Sequence, residues 1–165
     1  MNPSKSLKSV ALVTVTAAAT LLLIQACGGG AVAQSTDADP VEGSWEAVIT
    51  VRDCATGATI LTGRGQGVLH RGGTLTETSA APPTTRGVGF GTWQRDATAQ
   101  NYTSRFRFNR YNPDGTLAGT LRVTRVFTLS ADGNTQTSAN TSQTLDAAGT
   151  VLQNGCARDV STRVP

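Results

Sequence analysis

Apolar and polar residues alternate along the chain between residues 101 and 130, on both sides of the turn sequence Asn112-Pro113-Asp114-Gly115. Alternation with a period of two is typical of β-strands that bury one face. The turn sequence is rich in residues that favour turn conformations, so a long β-hairpin is predicted. Its inward face is made of Tyr102, Ser104, Phe106 and Phe108 on the first arm and Leu117, Leu121, Val123, Phe127 and Leu129 on the second, with Gly119 and Arg125 among them.

The positions of these apolar residues restrict the loop of the hairpin. The first arm turns its even-numbered residues inward and the second its odd-numbered residues, so the numbers of cross-strand partners must add to an odd total. A two-residue or a four-residue loop meets this condition, and a three-residue loop meets it only with a β-bulge. The four-residue loop would place Tyr102 opposite Arg125 and Phe106 opposite Leu121.

The rest of the chain after residue 42 also has the composition of short strands separated by turns. Strands are predicted at residues 43–52, 59–69, 74–78, 87–95, 135–145 and 151–163, in addition to the two arms of the hairpin. No segment has helical periodicity. Short connections favour pairing between sequential strands, and antiparallel strands in this number usually close into a barrel, which removes their exposed edges. The predicted fold is an all-β, up-and-down antiparallel β-barrel of about eight strands.

The N-terminus has the pattern of an export signal. Lys5 and Lys8 precede an uncharged run at residues 10–24, which is short for a membrane span. The run ends in Leu-Ile-Gln-Ala-Cys at residues 23–27, which resembles a bacterial lipobox. The resemblance implies that Cys27 becomes the lipidated first residue of the mature protein and anchors it in a membrane. The alternative is an ordinary cleaved signal, with Cys27 lost or left free.

The lipobox divides the chain into three predicted parts. They are a lipoprotein signal peptide at residues 1–26, a lipidated Cys27 with a flexible tether at residues 27–42, and a β-barrel domain at residues 43–165. The tether is predicted because the segment after Cys27 has no apolar periodicity. Gly28, and not Asp, follows the cysteine. By resemblance to Gram-negative sorting rules, this implies the outer membrane, facing the periplasm, if the source is Gram-negative.

Removal of the signal changes the interpretation of charge and of cysteine content. Lys5 and Lys8 are the only lysines, so the remaining arginines and acidic residues nearly balance, and the basic pI is no indication of nucleic-acid binding. Cys54 and Cys156 remain after Cys27 is used for lipid. In an exported, oxidising compartment they are expected to form a disulfide. If they pair directly across the seam between the first and last strands, Trp45 falls near the C-terminus, with Arg163 diagonal to it.

The start of the first strand, Gly43-Ser44-Trp45, resembles the G-x-W signature of lipocalins and other calycins. In that group the tryptophan packs across the closed end of the barrel, often against an arginine from a late strand. The resemblance implies this role for Trp45, with Arg163 or Arg158 as its partner. The domain looks like a minimal lipocalin-like barrel.

Arg125 is the residue whose position suggests a binding site. It interrupts the apolar inward face of the second hairpin arm, and a buried guanidinium must be paired or hydrogen-bonded. One hypothesis is that Arg125 and Tyr102 form an anion clamp that holds the carboxylate or other head group of a small amphiphilic ligand, whose tail lies along Phe106, Phe108 and Phe127. The alternatives are that Arg125 stacks on Tyr102, pairs with an interior acid such as Asp159, or reaches out of the barrel mouth.

Other chemistry has little support in the sequence. His70 is the only histidine and has no assignable partner, so no metal and no cofactor are predicted. The acidic residues on or near strands have no spacing typical of a catalytic pair, so we do not predict an enzyme. A structural or interaction module of the envelope is the alternative function. Such a module would have a packed barrel and would act through its outer face, which carries Arg105, Arg107 and Arg122. Oligomeric state is not predicted.

Overall fold

The computed structural model describes residues 38–97 and 101–165, and these form a closed barrel of eight strands, each antiparallel to the next. The strands are β1 Gly43–Arg52, β2 Thr59–Leu69, β3 Thr74–Ser79, β4 Gly89–Arg95, β5 Asn101–Tyr111, β6 Leu117–Leu129, β7 Thr135–Leu145 and β8 Val151–Arg163. The predicted all-β, up-and-down barrel is therefore confirmed. Within the described part of the chain, no helix is long and apolar enough to span a membrane. The predicted signal peptide and Cys27 lie outside the described residues.

The β5–β6 hairpin turns through a three-residue loop. The amide of Asn112 donates to the carbonyl of Thr116 over 2.9 Å, and the amide of Gly115 donates to the carbonyl of Asn112 over 2.9 Å. The register then shifts by one residue at Arg110, which restores the odd total. This bulge needs glycine at position 119, since a Cβ there would lie 2.0 Å from the carbonyl oxygen of Leu145.

On the side of the bulge away from the loop, the hairpin turns the predicted residues inward. The cross-strand partners of these residues differ from the predicted ones. Tyr102 lies opposite Phe127, not opposite Arg125, and Phe106 lies opposite Val123, not opposite Leu121. The register of the four-residue loop is therefore wrong by two residues. Leu117 lies between the bulge and the loop and is 44% exposed, so its predicted inward position is also wrong.

The seam between β1 and β8 closes the barrel and carries the predicted disulfide. Cys54 and Cys156 are bonded, with their Cα atoms 5.2 Å apart, so the prediction of this bond is confirmed. Cys156 pairs with Arg52 in the sheet, so the disulfide runs diagonally to Cys54, just beyond the end of β1. As a result, Arg163 lies directly opposite Trp45 instead of diagonal to it.

One end of the barrel is closed by residues that precede β1. Val41 is fully buried, and its carbonyl accepts a hydrogen bond of 3.0 Å from the indole Nε1 of Trp45. The guanidinium of Arg163 lies 4.4 Å from the ring centroid of Trp45 and donates to the carbonyls of Glu42 and Pro40. The burial of Val41 and these hydrogen bonds attach residues 40–42, which the sequence placed at the end of the tether, to the barrel.

The aromatic core lies directly above this closure. The rings of Tyr102 and Phe127 are stacked with centroids 5.3 Å apart, and Trp93 packs against Tyr102 at 6.2 Å. The hydroxyl of Tyr102 donates to the carboxylate of Asp39 over 2.8 Å. Burial and this hydrogen bond raise the pKa of Tyr102 to about 12. The core therefore fills the closed end of the barrel and joins the segment before β1 to strands β4, β5 and β6.

Candidate functional site

The interior of the barrel is hollow above the aromatic core. A cavity of about 540 Å³ extends from Trp45 and Leu75 near the closed end to Leu61 near the opposite end. Leu61 is 53% exposed, so the cavity reaches solvent there. The barrel is packed at its closed end only, and the alternative of an interior filled throughout by side chains does not describe this structure.

Most of the cavity wall is apolar. The apolar lining comes from β1, β2, β5 and β6 and includes Ile49, Val51, Leu61, Phe106, Phe108, Leu121 and Val123. Glycines on the inward face of β2 contribute to the space. A Cβ added at Gly63 would meet no atom within 4 Å, so a side chain at this lining position would enter the cavity. The wall is therefore suited to the apolar body of a ligand.

A buried ion pair lies in the polar part of the wall, on strands β6 and β8. The Nη2 atom of Arg125 lies 2.7 Å from one carboxylate oxygen of Asp159, and the Nε atom of Arg125 lies 2.9 Å from the other oxygen. Arg125 also donates to Gln136 over 2.9 Å and to Ser161 over 3.2 Å. The guanidinium lies 4.3 Å from the ring centroid of Phe127. Of the alternatives that the sequence left open for Arg125, the structure shows the pairing with Asp159.

Asp159 is the acceptor at the centre of this network. Besides Arg125, it accepts hydrogen bonds from Ser138, from Asn140 over 2.8 Å and from Ser161 over 3.0 Å. Burial alone would raise its pKa, but the hydrogen bonds and charge of Arg125, with those from Ser138 and Asn140, lower the pKa of Asp159 below its usual value. The carboxylate is therefore ionised at neutral pH and compensates the charge of Arg125.

A second ion pair lines the cavity nearer its open end. Residues 80–88 connect β3 to β4, and from this connection Arg86 contacts the carboxylate of Glu77. The guanidinium of Arg86 also lies 3.5 Å from the ring centroid of Phe108. Burial raises the pKa of Glu77 even though Arg86 opposes this shift. Both charged pairs in the cavity wall thus consist of one arginine and one carboxylate.

Two polar atoms in the cavity wall have no partner among the described residues. They are the side-chain nitrogen Nε2 of Gln136 and the side-chain oxygen Oδ1 of Asn140, and both are buried. Buried polar groups are nearly always hydrogen-bonded in folded proteins. The cavity wall beside the Arg125–Asp159 pair therefore contains one donor and one acceptor without a partner.

The structure separates the residues that the sequence proposed for ligand binding. Phe106, Phe108 and Arg125 line the cavity. Tyr102 and Phe127 are buried in the aromatic core below it, at 2% and 1% exposure. Tyr102 therefore does not meet Arg125, because the two-residue difference in register places Tyr102 beside Phe127 instead.

Several site residues were not predicted from the sequence. Gln136, Ser138 and Asn140 form the polar inward face of β7, and Glu77 and Arg86 form the second ion pair. The available signal was that β7 is polar on both faces, since polar residues on its inward face must find partners inside the barrel. His70 is exposed and contacts Thr76 Oγ1 at 3.2 Å. Within the described residues, no cluster of three or more His, Cys, Asp or Glu side chains could hold a metal ion.

The fold and the site define a closed, antiparallel, eight-stranded β-barrel with a mostly apolar internal cavity, an architecture consistent with a lipocalin-like barrel. No protein-family model and no curated protein matches the chain. Among solved structures, the chain is similar to the crystal structure of Rv2717c from M. tuberculosis, with 14% identity, a TM-score of 0.37, and coverage of 77% of this chain and 94% of the other.

Proposed function

We propose that this protein binds one small lipophilic or amphiphilic molecule inside the barrel. The observation that carries the proposal is the internal cavity of about 540 Å³ with its mostly apolar wall. Ligand sites in proteins typically enclose roughly 300–1,000 Å³ and combine apolar walls with a few polar groups. Burial of an apolar ligand body in such a cavity is favourable because it removes apolar surface from water.

The first test is occupancy of the cavity by a neutral fluorescent probe, N-phenyl-naphthylamine, added to the full-length chain carrying Cys27→Ala. We expect the probe to bind, and Gly63→Leu to weaken its binding at least ~10-fold, because the new side chain enters the cavity. A tenfold change corresponds to about 1.4 kcal/mol. Thr62→Leu, at the neighbouring exposed position on the same strand, is the matched control and should leave binding unchanged.

Either of two results would contradict the proposal: no probe binding by the folded parent, or equal binding by the Gly63→Leu and Thr62→Leu variants. Native mass spectrometry after exposure of the parent to an envelope lipid extract then identifies the molecule that is retained.

We also propose that the barrel is held at a membrane by lipid on Cys27, with the outer membrane as its place if the source is Gram-negative. The support is the lipobox-like sequence at residues 23–27 with Gly28 after it. One acyl chain gives only marginal membrane binding, whereas two or more chains give a stable anchor.

The anchor is tested by expressing the full chain in a bacterium and fractionating the cells. We expect the parent protein in the membrane fraction and Cys27→Ala in the soluble fraction, since this substitution removes the only proposed attachment. Ser35→Ala is the matched control and should remain with the membrane. Membrane retention of Cys27→Ala would contradict the anchor.

An interaction module of the envelope is the second candidate function. On the outer face, Arg107 lies directly opposite Arg122. The four-residue loop would have placed Arg105 opposite Arg122 instead. All three arginines are exposed. Like charges directly opposite each other on a sheet are destabilising, so an anionic partner would relieve this contact. On the neighbouring strand β4, Phe90 lies opposite Arg107 and is 63% exposed. A barrel that stays empty in the probe and lipid-extract experiments would favour this candidate.

A further inference from the structure

We propose that the polar wall of the cavity recognises an uncharged head group with both a hydrogen-bond donor and an acceptor, such as a primary amide or a hydroxyl, and disfavours a carboxylate. This inference rests on the proposed function and specifies the chemical class of its ligand. It differs from the hypothesis drawn from the sequence, in which Arg125 and Tyr102 hold the carboxylate or other head group of the ligand.

The orientation of the two unpartnered amides is determined by their neighbours. Arg125 has only hydrogen-bond donors, so the oxygen of the Gln136 amide must face it, and the nitrogen Nε2 is left free. The ionised Asp159 has only acceptors, so the nitrogen of the Asn140 amide must face it, and the oxygen Oδ1 is left free. The ion pair therefore assigns a free donor to Gln136 and a free acceptor to Asn140.

Both amides belong to one inward face of β7. Gln136 and Asn140 are separated by Ser138, which is on the same face and bonds to Asp159. Gln136 is fully buried, so its free nitrogen cannot be served by bulk water. A ligand could accept a hydrogen bond from Gln136 and donate one to Asn140. Both side chains would then be paired, which removes the free-energy cost of burying them without partners.

The charge of the cavity wall explains why a carboxylate is disfavoured. Arg125 is neutralised by Asp159, whose side chain is 4% exposed, and Arg86 is neutralised by Glu77. A ligand carboxylate placed beside Gln136 and Asn140 would therefore lie near Asp159 without an uncompensated cation. Like charges disfavour ionisation at close range, and a buried charge without a partner is costly. An uncharged head group avoids both costs.

The position of these groups also gives the ligand an orientation. Gln136 lies near the closed end of the barrel, because it pairs with Ser161, two residues before Arg163. The apolar wall formed by Phe106, Phe108 and Leu121 lies nearer the hairpin loop, toward the open end. The head group would therefore enter first, with the alkyl tail directed toward the open end.

The test compares dodecanamide, dodecanol and dodecanoate, which share one alkyl chain, by displacement of N-phenyl-naphthylamine from the full chain carrying Cys27→Ala. We expect dodecanamide to bind at least ~10-fold more tightly than dodecanoate at neutral pH, with dodecanol closer to the amide. Gln136→Met should reduce this preference to within about threefold while the probe itself still binds. Thr137→Met, at the exposed position next along β7, is the matched control and should leave the preference unchanged.

The outcomes separate this inference from the proposed function. Binding of dodecanoate as tight as that of the amide would overturn the inference and leave the binding function intact. A preference for the amide that survives in both Gln136→Met and Asn140→Leu would also overturn it, since neither free group would then be responsible. Failure of the probe and of every dodecyl compound to bind the folded parent would refute the proposed function itself.

Discussion

Replacement of Asp159 by leucine is expected to lower the free energy of unfolding by about 3–5 kcal/mol, because it leaves the charge of Arg125 buried without a counter-charge. The side chains of the pair are 12% and 4% exposed, so water does not replace the lost partner. Ser138, Asn140 and Ser161 would lose their acceptor in the same step. Urea denaturation at neutral pH measures the change.

The double variant Arg125→Leu/Asp159→Leu is the control for this prediction. Substitution of a whole buried ion pair by apolar residues is often nearly neutral, so the double variant should be more stable than Asp159→Leu alone. A double variant that is less stable than the single variant would contradict the assignment of the cost to the unpaired guanidinium.

The same pair makes the stability of the barrel sensitive to acid. The pKa of Asp159 is lower in the folded chain than its usual value of 3.8, so the unfolded chain binds the proton more readily. The stabilisation is therefore complete above the usual pKa and is lost as the pH falls through the folded pKa. Asp53, Asp114 and Asp132 share this direction because of hydrogen bonds in their own turns. The Arg125→Leu/Asp159→Leu variant lacks this carboxylate but keeps the other three. The difference between the parent and this variant in how stability falls with pH is therefore the contribution of Asp159.

Loss of the Cys54–Cys156 disulfide is expected to lower the free energy of unfolding by about 2–4 kcal/mol. The bond joins residues 102 positions apart, so its removal releases a long loop in the unfolded chain. It also connects the end of β1 to β8 at the seam that closes the barrel. The expected effect is a lower urea midpoint for Cys54→Ser/Cys156→Ser than for the parent.

Reduction of the parent protein with dithiothreitol provides an independent measurement of the disulfide. The reduced parent should match the double serine variant, and the reductant should have no effect on that variant. An unchanged midpoint after verified reduction would contradict the prediction. Hydrogen exchange should increase most for the amides around Arg52 and Cys156, because the other end of the seam keeps the contact between Trp45 and Arg163.

The candidate site could be predicted from the sequence only in part. The sequence showed that Arg125 interrupts an apolar face, because its position in the alternation of β6 turns it inward. Phe106 and Phe108 line the cavity as expected. Asp159 was an open alternative as its partner. The free groups of Gln136 and Asn140 could not be inferred, because the orientation of an amide depends on which charged atoms lie next to it in space.

The sequence by itself determined the number of strands and, for the two arms of the hairpin on the side of the bulge away from the loop, the face that turns inward, because side-chain direction in a strand alternates with a period of two. It also predicted the disulfide, from the two cysteines that remain after Cys27. Only the tertiary structure decided which residues meet across the sheet. A slip of two residues between neighbouring strands leaves every side chain on the same face, so the apolar pattern does not oppose it. Both predicted registers differed from the structure by such a slip, which moved Tyr102 to Phe127 and brought Trp45 opposite Arg163. The position of the hairpin around Arg125 along the barrel, and hence its pairing with Asp159, followed from packing and closure, which act between strands distant in the chain.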